Sequence, residues 1–373
     1  MASSEPVATA YLDHAASTPM RPAALAAMVE HLEQHHGNPT GAHRVARAAR
    51  AALEDARDRV AAVLGCSPHG VVFTSGGTEA DNLAISGLSA RHGRPACPAT
   101  EHHAVLDPVE HLGGVVLPVD RAGQVDLAAV AALDDVGVVS AMAVNNETGV
   151  VADLHGLSAV VREHLPGAVL HTDAVQSANW LDLAEVFSLV DAMSLAGHKF
   201  GGPRGCGVLA LREGIDIEPV TRGGGQEHER RPGTQNVAAA VAFAVALESA
   251  AAERVAQCER LRGLSDRILT MAEGTGAVAT VDPASRVPGI CHLTTPVESE
   301  ALLVLLEDDG VMASAASSCA SGALQPSHVL VAMGRSDREA GGALRLSMSH
   351  SSTEADVDVV VDALPRALSR LGG

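Results

Sequence analysis

The stretch VVFTSGGT, residues 71–78, sets the architecture. Val71, Val72 and Phe73 are β-branched or aromatic and suit a short buried strand, which the run Thr74, Ser75, Gly76, Gly77, Thr78 cannot continue. A helix is predicted to follow, with Asp81 near its first turn. Upstream, residues 42–64 place Val45, Ala49, Leu53, Ala56, Val60 and Val63 at helical spacing, with Arg, Glu and Asp between them. Downstream, apolar runs at 115–119, 136–144, 168–171, 192–195 and 208–211 read as buried strands, and helical patterns fall near 153–165 and 235–260. Such alternation predicts an α/β fold, a mostly parallel sheet covered by helices on both faces. After about residue 255 the order becomes helix, short strands, a small-residue loop at 313–323 and helix, which predicts a second, smaller α+β domain.

Composition narrows the function. The chain has 373 residues, 47% hydrophobic, enough for a large core plus a smaller one. Its net charge is −19 with 26 Lys+Arg, which argues against a broad nucleic-acid-binding face. The aromatic residues are Tyr11, Phe73, Trp180, Phe187, Phe200 and Phe243, too few for a base-stacking platform. The longest apolar run of note, 237–247, is too short to cross a bilayer, and the first ten residues do not read as a signal peptide. Six cysteines without a C-x-x-C spacing predict reduced thiols and a cytoplasmic location; no metal site is expected.

Three constellations carry chemistry. The strand, TSGGT turn and helix put free backbone N–H groups and the positive end of a helix dipole at one spot, a cradle for phosphate. Asp173 ends an apolar strand, and Lys199 ends another, 26 residues on, in the run AGHK. A carboxylate and an amine at buried strand ends suit a structural ion pair. They equally suit pyridoxal 5'-phosphate (PLP), whose aldehyde a lysine binds as a Schiff base and whose protonated pyridine nitrogen an aspartate balances. The cradle, Asp173 and Lys199 in chain order favour the cofactor. Third, TEHH at 100–103 offers an imidazole that can stack on a ring where aromatic residues are scarce and can also move protons near neutral pH. The sequence alone does not choose between His102 and His103.

Ordered motifs then extend the pattern: YLDHAASTP (11–19), HGNP (36–39), TSGGTEADNLAI (74–85), TEHHAVLD (100–107), VNNETGVV (144–151), HTDAVQS (171–177), AGHKFGGP (196–203), RGGGQE (222–227), RPGT (231–234), SSCASGALQPSHVL (317–330) and LRLSMSHSSTEADVD (344–358). Together they resemble the NifS/IscS-type (type I) cysteine desulfurases of the class V aminotransferase family. The resemblance implies a type I PLP-dependent transferase fold with a mostly parallel seven-stranded sheet. It implies a large PLP-binding domain at 16–255 and a small domain of 1–15 and 256–373 that carries the Cys319 loop. Lys199 matches the Schiff-base lysine, His102 the stacking histidine, Asp173 the pyridinium partner and Gln176 the partner of the phenolic oxygen. Gly77, Thr78 and His198 match phosphate contacts, and Thr234 one that comes from the other subunit of a homodimer. Asn146 and Arg345 match the holders of the substrate carboxylate.

Cys319 matches the nucleophile. The implied reaction takes sulfur from L-cysteine, with Lys199 or His102 as the catalytic group that shifts the Cα proton, leaving L-alanine and a Cys319 persulfide that passes to an acceptor protein or small thiol. Residues 313–322 are almost all Ala, Ser and Gly, as expected of a mobile loop that carries a thiol. Cys66, Cys206 and Cys291 are read instead as small apolar side chains. The sequence departs from the family pattern at Ala196, where Ser is usual, at Ala316–Ser317–Ser318 before Cys319, at Arg222 and at His228. The resemblance implies sulfur for iron–sulfur assembly or for thiolation of tRNA or another product, and these departures suit a specialised member serving a thiolated product or nucleic-acid modification instead of general iron–sulfur assembly. The competing readings are another PLP lyase or aminotransferase, a catalytically inert scaffold, and a selenocysteine substrate.

Overall fold

The computed structural model describes residues 9–34, 36–315 and 326–372. A short N-terminal strand, β1 (Ala10–Tyr11), precedes the central sheet in the chain. The sheet is built from β2 (Val71–Thr74), β3 (Pro95–Pro98), β4 (Val115–Leu117), β5 (Val138–Ser140), β6 (Val169–Asp173), β7 (Ala192–Ala196) and β8 (Gly207–Leu211). Among the described residues these seven strands run in the spatial order β2-β8-β7-β6-β5-β3-β4. Pairing is parallel except around β8, which is antiparallel to both β2 and β7. β3 reads PACP, so its two prolines leave little apolar signal to find it by.

Alternation along the strands divides the sheet into two buried faces. Val71, Phe73, Leu170, Met193 and Leu195 meet Ala49, Leu53, Ala56, Val60 and Leu64 of the helix Arg44–Leu64. Val72, Val169, Ala192 and Leu209 point the other way, onto Ala80, Leu83, Ala84 and Leu88 of the helix Gly77–His92. A Leu or Val side chain fully withdrawn from water contributes ~1.5–3 kcal/mol. The sheet is therefore held by its two coverings more than by its strands' own propensity.

The C-terminal part has its own core. β9 (Val278–Ala279), β10 (Ile290–Thr294) and β12 (Ala343–Ser347) form a three-stranded sheet, while β11 (Val311–Met312) pairs in parallel with β1. Leu293, Leu302, Leu344, Leu346, Val357 and Leu364 pack together there with Leu12. The helix Val237–Glu273 serves both cores: Val237 to Ala250 lie in the first, Leu261 to Ala272 in the second.

A buried ion pair ties the loop around residue 227 to the sheet. Arg57 holds Glu227 through both guanidinium nitrogens, at 2.8 and 3.0 Å, and also donates to the Val71 carbonyl. The second carboxylate oxygen of Glu227 accepts the Phe73 N–H as well. Glu227, His228 and Glu229 all have positive φ (48°, 57° and 67°), costing ~1–2 kcal/mol per non-glycine residue. The pair offsets that strain, and burial is tolerable because every charge has a partner. Glu227→Ala leaves the buried Arg57 with only the half-exposed Glu54, 3.2 Å from Nε, as an acid partner, so it is expected to lower unfolding free energy by ~3 kcal/mol. A urea titration with an unchanged slope and a lower midpoint checks this.

Candidate active site

In open parallel sheets, ligands sit beyond the carboxyl ends of the strands, where the chain leaves the ladder and backbone groups are free. Here that edge bears a cleft with about 580 Å³ of open space, lined by Gly77, Thr78, Asp81, His102, Met142, Val144, Asn146, Asp173, Val175, Gln176, Ala196, His198 and Lys199. Eight of the residues singled out from sequence are on that wall: Gly77, Thr78, His102, Asn146, Asp173, Gln176, His198 and Lys199. Thr234 is exposed and lies outside the cleft. Cys319 lies outside the described residues.

The cradle forms where β2 gives way to the helix Gly77–His92. Gly76 is its N-cap and no side chain caps the first turn, so the leading N–H groups have no local acceptor. Glu79 reaches back to the Ser75 N–H at 2.6 Å and is gripped by Arg231 at 2.8 Å, fixing the turn against the RPGT segment. Gly77 is required for a packing reason that the sequence does not reveal: a Cβ there would lie 2.7 Å from Val175 Cγ2. The cradle helix is thus seated directly on the loop after β6.

β6 and β7 are parallel neighbours with Asp173 opposite Ser194, and the Lys199 turn follows β7 directly. Asp173 is buried and accepts the Val175 N–H at 2.8 Å; burial nevertheless pushes its pKa up to about 6. Lys199 Nζ donates to the Ala15 carbonyl at 2.6 Å and the Ala16 carbonyl at 3.1 Å. Desolvation, then the positive field of Arg345, lowers its pKa to about 8. Gln176 Nε2 donates to the same Ala15 carbonyl at 2.7 Å.

The structure chooses between the neighbouring histidines. His102 is the N-cap of the helix His103–His111 and lines the cleft. Its Nδ1 accepts the Ala104 N–H at 3.1 Å, which leaves Nε2 to carry the proton of the neutral ring. Its ring surface is open to the cleft, but the surrounding protein, and then Lys199, push its pKa down to about 4. His103 turns away, its Nδ1 3.0 Å from Asp107 and its ring against His328.

Arg345 comes from β12 of the other core and is buried. Nη1 donates to the Asn146 carbonyl at 3.0 Å, Nη2 to Asp13 Oδ1 at 2.6 Å, and Nε has no acceptor among the described residues. The guanidinium therefore keeps donor capacity for one more oxygen ligand. Asp13, Asp81 and Glu101 were not singled out as site residues by the sequence reading. For Asp81 a signal existed: an acid between Ala80 and Leu83 on the covered face of a helix. Asp13 is brought to Arg345 only by tertiary contact.

The other thiols are poorly suited to chemistry. Cys66, Cys97, Cys206, Cys258 and Cys291 are free thiols, and Cys97, Cys206 and Cys291 are buried. Burial pushes Cys66 up to about 11 and Cys206 up to about 12, and it raises Cys97 too. Such groups stay protonated at neutral pH and are weak nucleophiles.

Comparison with known proteins identifies this arrangement. The class V aminotransferase family matches residues 10–360. The chain is 42% identical over 387 residues to an IscS-like cysteine desulfurase of Mycobacterium tuberculosis, an alignment covering 97% of this chain and 96% of that protein. Among solved structures, a NifS-like protein superposes with a TM-score of 0.91 at 32% identity, covering 97% of this chain and 100% of that one. SspA in complex with cysteine gives 0.80 at 29% identity, covering 92% and 100%. The chain belongs to the class V aminotransferase family and, within it, to the IscS/NifS-like cysteine desulfurases.

Gly77→Ala would push Val175 and the cradle helix apart, at ~1–3 kcal/mol for overpacking. A lowered melting temperature together with weaker phosphate-ester binding is the expected result; an unchanged melting temperature would contradict the packing assignment.

Proposed function

We propose that this chain is a PLP-dependent cysteine desulfurase. The observation that carries the reading is one cleft wall that brings together an uncapped helix N-terminus, an open imidazole face, a buried carboxylate and a half-buried amine. These match the four demands of PLP: anion, ring, pyridine nitrogen and aldehyde. The helix N-terminus with Thr78 and His198 would hold the phosphate, and Thr234 would serve the cleft of a partner subunit in a homodimer. Its exposure and position outside this cleft support that reading. His102 would stack on the ring, Asp173 would face the pyridine nitrogen, and Gln176 would face the phenolic oxygen. In this reading the cofactor domain spans 16–255, with 1–15 and 256–373 as the smaller one.

PLP, when bound, supplies a conjugated electron sink for bonds at the substrate's α-carbon. The protein's groups do the remainder. Lys199 would hold the aldehyde, and Lys199 or His102 would move the proton at the substrate's Cα; the lowered pKa of Lys199 lets it exchange a proton near neutral pH. Arg345 and Asn146 orient the substrate carboxylate. The Cys319 thiolate attacks the substrate sulfur. The new S–S bond forms as the Cβ–S bond breaks, and the electron pair of that bond stays with the carbon skeleton, which takes up a proton and leaves as alanine. The persulfide sulfur then passes to an acceptor protein or a small thiol. The relatives' names and the free cysteines support L-cysteine as substrate and a reducing, cytoplasmic setting. Among the described residues no helix is long and apolar enough to cross a membrane.

Mass spectrometry after incubation with L-cysteine should find one added sulfur on Cys319, and Cys319→Ala should abolish sulfide and alanine production while leaving PLP bound. Keto-acid transamination without sulfide would instead favour an aminotransferase. Arg345→Lys removes the planar fork and should lower kcat/KM by ~10–100-fold, mostly through KM. Only the unprotonated amine captures an aldehyde. Uptake of PLP by the cofactor-free chain, followed by stopped-flow absorbance, should therefore accelerate about tenfold per pH unit below pH 8 and level off above it.

A further inference from the structure

Behind the cleft lies a set of buried polar groups that the proposed chemistry does not use. His171 and Asp173 lie two apart on β6, so they share one side of the strand. The His171 ring is fully buried between two hydroxyls, with Nδ1 2.9 Å from Ser140 Oγ and Nε2 2.9 Å from Ser194 Oγ. Asp81, from the first turns of the cradle helix, reaches the same place, its Oδ1 3.9 Å from His171 Nε2. Asp81 is 1% exposed and lines the cleft, and Oδ1 has no hydrogen-bond partner among the described residues. Glu101, at 0% exposure, is the third acid nearby: Oε1 takes the Met142 N–H at 2.5 Å and Oε2 has no partner among the described residues.

Two carboxylates in one dry site do not both ionise; they share a proton, and the better-solvated one keeps the charge. Asp173 accepts a backbone N–H and faces Lys199. Asp81 has neither: it is hydrogen-bonded to the Ser194 hydroxyl that His171 also uses, and around it stand Asp173 and Glu101, both acids, and the His171 ring; burial and the two acids outweigh that one bond. His171 is neutral, since burial drives its pKa down to about 3, so it offers no compensating cation. Lys199 and His102 are on the cleft wall with Asp81, and His102 too is held neutral.

We propose that Asp81 is a positioning residue: it keeps its proton at neutral pH, as the neutral member of a buried carboxyl pair, and so leaves Asp173 as the anion that faces the ring nitrogen. The assignment of Asp173 rests on the PLP reading above; the location of the proton does not. Because one acid is neutral, the negative charge is confined to the residue at the strand end instead of being spread into the sheet. The cradle helix and the carboxylate strand are thereby joined by an uncharged contact.

The test reads the proton directly. In the full chain carrying 13C-labelled aspartate, infrared spectroscopy at pH 7 should show a label-sensitive C=O stretch of a protonated acid, which excludes Glu101. Asp173→Asn should retain that band and Asp81→Asn should lose it. A carboxamide imitates a neutral acid, so Asp81→Asn should bind PLP within about twofold of the parent, with the pH titration of the bound chromophore unmoved. Asp173→Asn should lose at least about tenfold in affinity. The proposal is overturned if the labelled parent shows no acid band, if Asp173→Asn abolishes it, or if Asp81→Asn shifts the chromophore's titration by a unit or more. Should Asp81→Asn fail to fold, the labelled parent and Asp173→Asn decide the matter. A persistent acid band in a chain that binds no PLP would sink the cofactor reading and leave the proton assignment standing.

Discussion

Parallel pairing of β6 with β7 is the contact on which the site depends. It brings Asp173 level with Ser194 and so sets the Lys199 turn beside the carboxylate. Neither residue is at ease there, since a carboxylate and an amine both lose solvation at a buried strand end. The structure answers with local partners: the Val175 N–H for Asp173 and the Ala15 and Ala16 carbonyls for Lys199. Hydrogen bonding of this kind fixes where the groups point.

The second core matters because it delivers what the first lacks. Arg345, a buried guanidinium whose Nε has no acceptor among the described residues, is carried in by β12. Its orientation is shared between the Asn146 carbonyl from the large lobe and Asp13 from the N-terminal segment. That segment is itself pinned on both sides: β1 pairs with β11, and Ala15 bonds to Ser347 through its N–H and to Lys199 through its carbonyl. The site is therefore a joint between two cores. The continuous helix Val237–Glu273, packed in both, keeps that joint in register.

Charge placement follows the same economy. Among the described residues, some buried ionisable groups are fully paired, as Arg57 and Glu227 are, and others are pushed toward their neutral forms, as His171, His292 and the thiols Cys97 and Cys206 are. The first arrangement holds a strained loop in place. The second keeps reactivity away from groups that are not meant to react. Asp81 belongs with the second, although it stands on the wall of the cleft.

Much of this was legible from residue order. A strand's alternation, a glycine turn before a helix, and an acid or amine at the end of an apolar run are local patterns, and local patterns report on neighbouring residues in the chain. Hence the strands around 71, 169, 192 and 208, the cradle, Asp173 and Lys199 could be read from the sequence, and the ordered motifs supplied the family. What only the tertiary structure decided were contacts between residues far apart in the chain: Asp13 on Arg345, Gly77 against Val175, His102 turned inward while His103 meets His328, and Asp81 beside His171. Such pairs leave no periodic trace. They depend on how helices and strands pack in space, and packing is set by the shape of the whole core.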